Sequence, residues 1–243
     1  MKFAGCPVNP FLLPVYFIQG KWTRLVTPRL PDAAGPQTGS CAGAEPALRL
    51  IVIGDSTVAG IGAATHAQAL TGQVAQHLSA ITQRRVNWRA LGQTSATSEI
   101  MRAQLLPRLV HETADVIVLS FGVNDVTRVH TPSRWRANLA GMTEALRAQF
   151  GALPLIHAGV PPLGHFPALP RPLRGWLGVR AQTFDDIARE FFTQLPHGQY
   201  SALPRAATAN GFAADGYHPN ELTYRLWGEQ VAACCRNALL PSA

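Results

Sequence analysis

The stretch Val116-Ile117-Val118-Leu119-Ser120-Phe121-Gly122-Val123-Asn124-Asp125 decides how the rest of the chain is read. Its first six residues are almost wholly aliphatic or aromatic, and the run stops at a glycine. A strand with one wet face alternates apolar and polar residues. A short unbroken apolar run ending in a turn signal suits a strand covered on both faces. Residues 48–53 (Leu-Arg-Leu-Ile-Val-Ile) behave similarly and end at Gly54. Val86, Trp88 and Ala90 alternate with polar neighbours as a further strand; residues 153–160 predict a fourth and 200–203 a short fifth. Helical spacing fills the gaps. Thr131 and Pro132 form a helix start, and Trp135, Leu139, Met142, Leu146 and Phe150 follow at intervals of three and four. The last helix is expected over 219–239, burying Leu222, Leu226, Trp227, Val231 and Cys234, with Cys235 as the neighbour of a core residue. Alternating strands and helices predict an α/β chain, a three-layer α/β/α sandwich with a central parallel sheet.

Composition narrows the functional classes. The 243 residues are 47% hydrophobic and 14% charged, which excludes a disordered or fibrous chain. Cys6, Cys41, Cys234 and Cys235 form no CxxC pair, so neither a disulfide scaffold nor a zinc module is expected. The net charge of +7 comes almost entirely from arginine, since Lys2 and Lys21 are the only lysines. This charge suits an anionic surface or a negatively charged substrate. The arginines are scattered without aromatic interleaving, so no nucleic-acid partner is expected.

Residues 1–46 carry seven of the nineteen prolines and are expected to form an irregular N-terminal arm, ahead of one α/β domain over 47–243. The apolar stretch 11–18 contains Pro14 and is followed by Lys21, Trp22, Arg24 and Arg29. Two readings stand: an arm packed on the domain surface, or an interfacial foot giving peripheral membrane contact through residues 11–29. Phe3-Ala4-Gly5-Cys6 has no apolar stretch ahead of it, so it is discounted as a cleavage signal, and a cytoplasmic or peripherally membrane-associated protein is expected.

In parallel α/β sheets ligands bind beyond the carboxyl ends of the strands, and capable residues cluster there. Gly54-Asp55-Ser56-Thr57 follows the first strand, Leu91-Gly92-Gln93-Thr94 the second, and Gly122-Val123-Asn124-Asp125 the third; Asp215-Gly216-Tyr217-His218-Pro219 lies near the C-terminus. Three of the seven aspartates fall in these four stretches. A serine hydroxyl needs a base to take its proton and donors to hold the oxyanion it creates. Ser56 at a strand-to-helix turn is the candidate nucleophile and His218 the candidate base. Asp215, three residues before His218, is placed to orient the imidazole. Gly92 allows close backbone approach, and Asn124 offers a side-chain amide; with the Ser56 N–H these are candidate oxyanion donors.

These four blocks, in this order, resemble the SGNH (GDSL-type) hydrolases, and the resemblance spans residues 48 to about 240. It implies a flavodoxin-like α/β/α sandwich, a Ser56-His218-Asp215 triad, and oxyanion donors at Ser56, Gly92 and Asn124. It also implies hydrolysis of acyl esters without metal or organic cofactor. There are departures. Thr57 replaces the usual leucine, at a position expected to be tolerant. Ala90 stands where asparagine is common, and Ser95 where a further glycine is common.

Other signals are weaker. Gly60-Ile61-Gly62 lacks the third glycine of a dinucleotide fingerprint, with Thr65 in its place, and His111-Glu112 lacks the second histidine of a metalloprotease helix. Asp55 reads either as a phosphoryl acceptor, as in another α/β family, or, more simply, as the residue that shapes the serine turn. His66, His77, His130, His157, His165 and His197 show no partner spacing and read as surface or packing residues. Residues 161–180 hold five prolines and the apolar Phe166, Leu169, Leu173, Trp176 and Leu177. They read either as a packed irregular crossover or as an acyl-binding wall, with Phe166, Leu173 and Trp176 the candidate substrate contacts. The expected function is hydrolysis of short- to medium-chain acyl esters or lysophospholipid-like lipids. The alternatives are O-deacetylation of a carbohydrate or cell-wall polymer, acyl transfer, and a non-catalytic membrane-surface binding protein on the same fold.

Overall fold

The computed structural model describes residues 2–3, 5–204 and 210–239. A two-residue hairpin, β1 (Lys2–Phe3) with β2 (Cys6–Pro7), precedes the main sheet. That sheet comprises β3 (Thr38–Cys41), β4 (Ala44–Gly54), β5 (Arg84–Gly92), β6 (Val116–Ser120), β7 (Leu155–His157) and β8 (Gly198–Tyr200), in the order β3-β5-β4-β6-β7-β8. All neighbours are parallel except β3, which runs antiparallel to β5 along one edge. The five parallel strands thus run 2-1-3-4-5 in chain order, the flavodoxin-like arrangement, with its switch point between β4 and β6.

The helices are α1 (Leu13–Val26), α2 (Leu70–Thr82), the short α3 (Ser98–Ile100) and α4 (Val123–Thr127), then α5 (Pro132–Phe150), α6 (Leu173–Gln194) and α7 (Glu221–Leu239). Successive side chains of a strand face opposite sides, which divides the aliphatic runs between two cores. Leu50, Val52, Val116 and Val118 pack with residues of α2 and α7, whereas Ile51, Ile53, Ile117 and Leu119 pack with residues of α5 and α6. The unbroken apolar runs arise from this double coverage.

Helix α5 starts as its sequence requires. The Thr131 hydroxyl accepts the Arg134 N–H at 3.2 Å, Pro132 occupies the first turn, and Trp135, Leu139, Met142 and Leu146 are buried.

Four expectations need correction. The N-terminal arm is not irregular, because α1 forms within it and β3 joins the sheet. Pro14 lies in the first turn of α1, where no intrahelical N–H is needed, and the remaining prolines fall outside the helix. The strand expected over 153–160 is confined to β7, and the one expected over 200–203 is centred two residues earlier in β8. In α7 the buried stripe is Thr223, Tyr224, Trp227, Gly228, Val231, Ala232 and Cys235. Leu222 is exposed and Cys234 half-buried, so the roles of the two cysteines are reversed. Close approach to α2 turns the helix this way: a Cβ on Gly228 would lie 2.6 Å from Gln73 Cβ. Finally, the proline-rich crossover ends at Pro172, because α6 begins at Leu173 and takes in the rest of the expected stretch.

Candidate active site

The turn after β4 is tied to β6 at the switch point. Asp55 N–H donates to the Ser120 carbonyl at 3.1 Å, and the Asp55 carbonyl accepts from the N–H groups of Val58 and Ala59. Asp55 Oδ1 accepts from the Thr57 N–H and hydroxyl, both at 3.1 Å, and Thr57 Oγ1 lies 2.8 Å from Ser120 Oγ. Burial pushes the Asp55 carboxyl up to about 6, against the opposing pull of the Thr57 hydrogen bonds. Asp55 therefore shapes the serine turn, as expected. Position 57, expected to be tolerant, instead carries a buried hydroxyl that bridges Asp55 and Ser120.

Residues 213–218 form a tight loop just before α7, closed by an Ala213 N–H to His218 carbonyl bond at 2.8 Å. Asp215 Oδ1 accepts the N–H groups of Tyr217 and His218 at 2.9 and 3.0 Å, and Oδ2 is 2.6 Å from His218 Nδ1. Burial acts to raise the Asp215 carboxyl, but the imidazole and the two N–H groups outweigh it and hold the carboxyl below its ordinary range. With Nδ1–H donating to Asp215, Nε2 is left as an acceptor, and it lies 3.1 Å from Ser56 Oγ. Two segments 162 residues apart thus meet in one hydrogen-bonded chain.

Gly92 and Asn124 approach from the flanking strands. Gly92 ends β5 in register with Gly54, and an added Cβ would sit 2.1 Å from Ala59 N, so only glycine fits against the serine turn. Gly122, at φ +132°, lets the chain turn sharply from β6 into α4. Asn124 Nδ2 then reaches Asp55 Oδ2 at 3.4 Å. The next residue, Asp125, is fully buried and anchors α4. It accepts from the Ser98 N–H at 3.0 Å and the Ser98 hydroxyl, and lies 3.0 Å from His130 Nδ1. The buried Arg180 guanidinium donates to the His130 carbonyl at 2.6 Å, fixing the far end of the same turn.

Ser56 and His218 open on a cavity of about 520 Å³. Its apolar wall includes Pro161, Pro162, Phe166, Leu203 and Phe212, and His165 and Gln182 add polar groups. Phe166 stands edge-on to both Phe212 and Tyr217, with 5.1 Å between ring centroids in each pair, and Tyr217 meets His218 at 5.3 Å. Among the described residues no group of three or more His, Cys, Asp or Glu could hold a metal ion.

A sequence model described as the GDSL-like lipase/acylhydrolase family matches residues 52–226. The chain belongs to that family. A curated GDSL-like esterase of Mycobacterium tuberculosis is 29% identical over 200 residues; the match covers 79% of this chain but only 63% of that protein's length. Among solved structures, a lipase/acylhydrolase from Enterococcus faecalis superposes with a TM-score of 0.62 at 23% identity, covering 81% of this chain and 99% of that one. A variant acetyl xylan esterase from Geobacillus stearothermophilus superposes with a TM-score of 0.55 at 16% identity, covering 83% and 99%. These two likenesses concern the fold.

In this GDSL-type chain the expected Ser56, His218 and Asp215 are hydrogen-bonded in sequence, and Gly92 and Asn124 border the same turn. Of the three expected substrate contacts, Phe166 lines the cavity, whereas Leu173 and Trp176 do not. Trp176 stacks on Tyr16 of α1 at 5.0 Å, and the Leu173 N–H donates to Gln19 Oε1 at 3.0 Å. Their three-residue spacing belongs to the inward stripe of α6, which proline density upstream had masked. His165 and Gln182 were missed as cavity residues, and His130, read as surface or packing, is instead Asp125's partner. Asp125 and His130 are only five residues apart, whereas the third member, Ser98, lies 27 residues before Asp125, beyond any local spacing. Ser95, at the common glycine position, has φ +65°, which is the physical reason glycine suits it.

Proposed function

We propose that this protein hydrolyses carboxylic esters through an acyl-enzyme on Ser56, with short- to medium-chain acyl esters or lysophospholipid-like lipids as substrates. The observation carrying this reading is the 3.1 Å approach of His218 Nε2 to Ser56 Oγ at the base of a largely apolar cavity. His218 takes the serine proton as Oγ attacks the ester carbonyl, and Asp215 stabilises the resulting imidazolium. The Ser56 N–H, the Gly92 N–H and Asn124 Nδ2 hold the oxyanion. His218 then protonates the leaving alcohol. Water, deprotonated by the same imidazole, releases the acid and restores the serine. The cavity volume lies within the range of about 300–1,000 Å³ typical of small-ligand sites.

A second reading, O-deacetylation of a carbohydrate or cell-wall polymer, draws support from His165 and Gln182, whose polar atoms suit sugar hydroxyls. Rates of wild type and Ser56→Ala on a panel of chromogenic esters of increasing acyl length test both. Turnover extending to medium chains and lost in Ser56→Ala supports the first reading, and turnover confined to acetyl esters supports the second. A folded wild type inert on every ester would leave only a non-catalytic binding protein on this fold.

A further inference from the structure

Helix α1 presents an apolar side to solvent. Its inner side is fixed to the domain: Tyr16 stacks on Trp176, and Gln19 bonds the Arg171 carbonyl at 2.7 Å and the Leu173 N–H at 3.0 Å. On the outer side Phe11, Val15, Ile18, Trp22 and Leu25 recur at helical spacing, from the short turn before α1 to its end. Phe11 is 87% and Leu25 84% exposed. Of the eleven large apolar side chains exposed among the described residues, seven fall between Phe11 and Val26; the other four lie far apart along the chain. Scattered exposed residues need no explanation, whereas a contiguous patch marks an interaction surface.

Charge identifies the occupant. Lys21, Arg24 and Arg29 flank the patch, and the sequence holds no acidic residue before Asp32. The Lys21 Nζ lies 4.6 Å over the Phe17 ring, and no ion pair among the described residues involves Lys21, Arg24 or Arg29. A second copy of this chain would meet the patch with the same positive charge, whereas an anionic lipid surface complements it. No helix among the described residues is long and apolar enough to cross a membrane. The 14 residues of α1, about 21 Å of helix, fit a position in the plane of the interface. From these observations we propose that the outer face of α1 docks this protein on an anionic lipid bilayer, with its apolar stripe below the headgroups and its basic side chains among them.

The inner side of α1 packs on the core cluster that backs part of the cavity wall. Tyr16 shares one core cluster with Phe166, and Tyr217 packs against that cluster; both Phe166 and Tyr217 line the cavity. The charge of Arg24 is felt at the Tyr217 phenol. Docking through α1 therefore sets the cavity beside the bilayer, where it takes esters held in the membrane; this last step rests on the ester-hydrolase reading.

The test is flotation of the full chain with vesicles of phosphatidylcholine alone and of phosphatidylcholine mixed with phosphatidylglycerol. Tryptophan emission is followed in parallel. The other four tryptophans are buried and Trp22 is 54% exposed, so a blue shift on binding reports Trp22. Wild type is expected to float with the anionic vesicles and to be released by salt. Ile18→Glu/Leu25→Glu should weaken binding at least about tenfold, and Lys21→Gln/Arg29→Gln by about fivefold per charge. Hydrolysis of a soluble short-chain ester should change by less than about twofold in either variant, since neither touches the cavity. Failure of wild type to bind anionic vesicles, or equal binding by Ile18→Glu/Leu25→Glu, overturns the proposal. So does a concentration-dependent dimer in sedimentation that this variant abolishes while wild type ignores vesicles. Absence of soluble-ester hydrolysis defeats the hydrolase reading alone, because flotation still decides docking.

Discussion

The hydroxyl of Thr57, one residue beyond the proposed nucleophile, lies 2.8 Å from the hydroxyl of Ser120 at the end of the neighbouring strand β6. This contact and the Thr57 bond to Asp55 lock the serine turn across the switch point of the sheet. Removing the hydroxyl leaves a buried carboxylate and a buried serine each short of one partner. Thr57→Val should cost about 1–3 kcal/mol in urea unfolding and lower turnover, while Thr57→Ser should retain most of both.

Asp55 makes stability depend on pH in a defined direction. Its carboxyl is raised to about 6, so the folded protein holds that proton more tightly than the unfolded chain does. The associated stability is fully present below about pH 4 and is lost as pH climbs through about 6. Relative to Asp55→Asn, wild type should lose about 2 kcal/mol between pH 4 and pH 7, as measured by urea midpoints. Asp215, held low, acts the other way: its stabilisation is present above the ordinary carboxylate range and is lost at more acid pH.

Gly92 leaves no room for a methyl group against Ala59. Gly92→Ala should shift the β5 end away from the serine turn, at a cost of about 1–3 kcal/mol in stability. If Gly92 N–H is an oxyanion donor, kcat should also fall by about 10² to 10³. Thermal unfolding and ester kinetics on the same preparation separate the two effects.

Phe166 and Trp176 are close in sequence but face different surroundings. Phe166→Ala opens the cavity wall and should weaken kcat/KM for longer acyl chains by about tenfold relative to acetyl. Trp176→Ala removes a ring stacked between α6 and α1, so it should cost about 3–5 kcal/mol in stability while leaving the chain-length ratio unchanged. Acyl-length profiles of the two variants check this contrast.

The strands ending at Gly54 and Gly122, and the candidate residues Ser56 and Asn124 just beyond them, were legible from local chemistry, and the candidates Asp215 and His218 from their three-residue spacing. Helix α1 is not legible from proline content, because Pro14 is harmless in a first turn. The inward face of α7 is offset by about one residue from its aliphatic pattern, since Leu222 is exposed while Tyr224 is buried and donates its hydroxyl to the Ile61 carbonyl at 2.7 Å. Leu173 and Trp176 illustrate the general limit: apolar content signals burial but does not say whether the partner is a ligand or another helix. The Ser98 contacts to Asp125 join segments 27 residues apart, which spacing along the chain does not encode.

The central claim is that His218 activates Ser56 for attack on a carbonyl, and covalent labelling tests it most directly. A fluorophosphonate probe incubated with the folded protein, digested and mapped by mass spectrometry, should modify Ser56 in wild type. Labelling should vanish in Ser56→Ala and slow by at least about 10³-fold in His218→Ala. Label on another residue, or equal labelling rates in wild type and His218→Ala, would contradict the account.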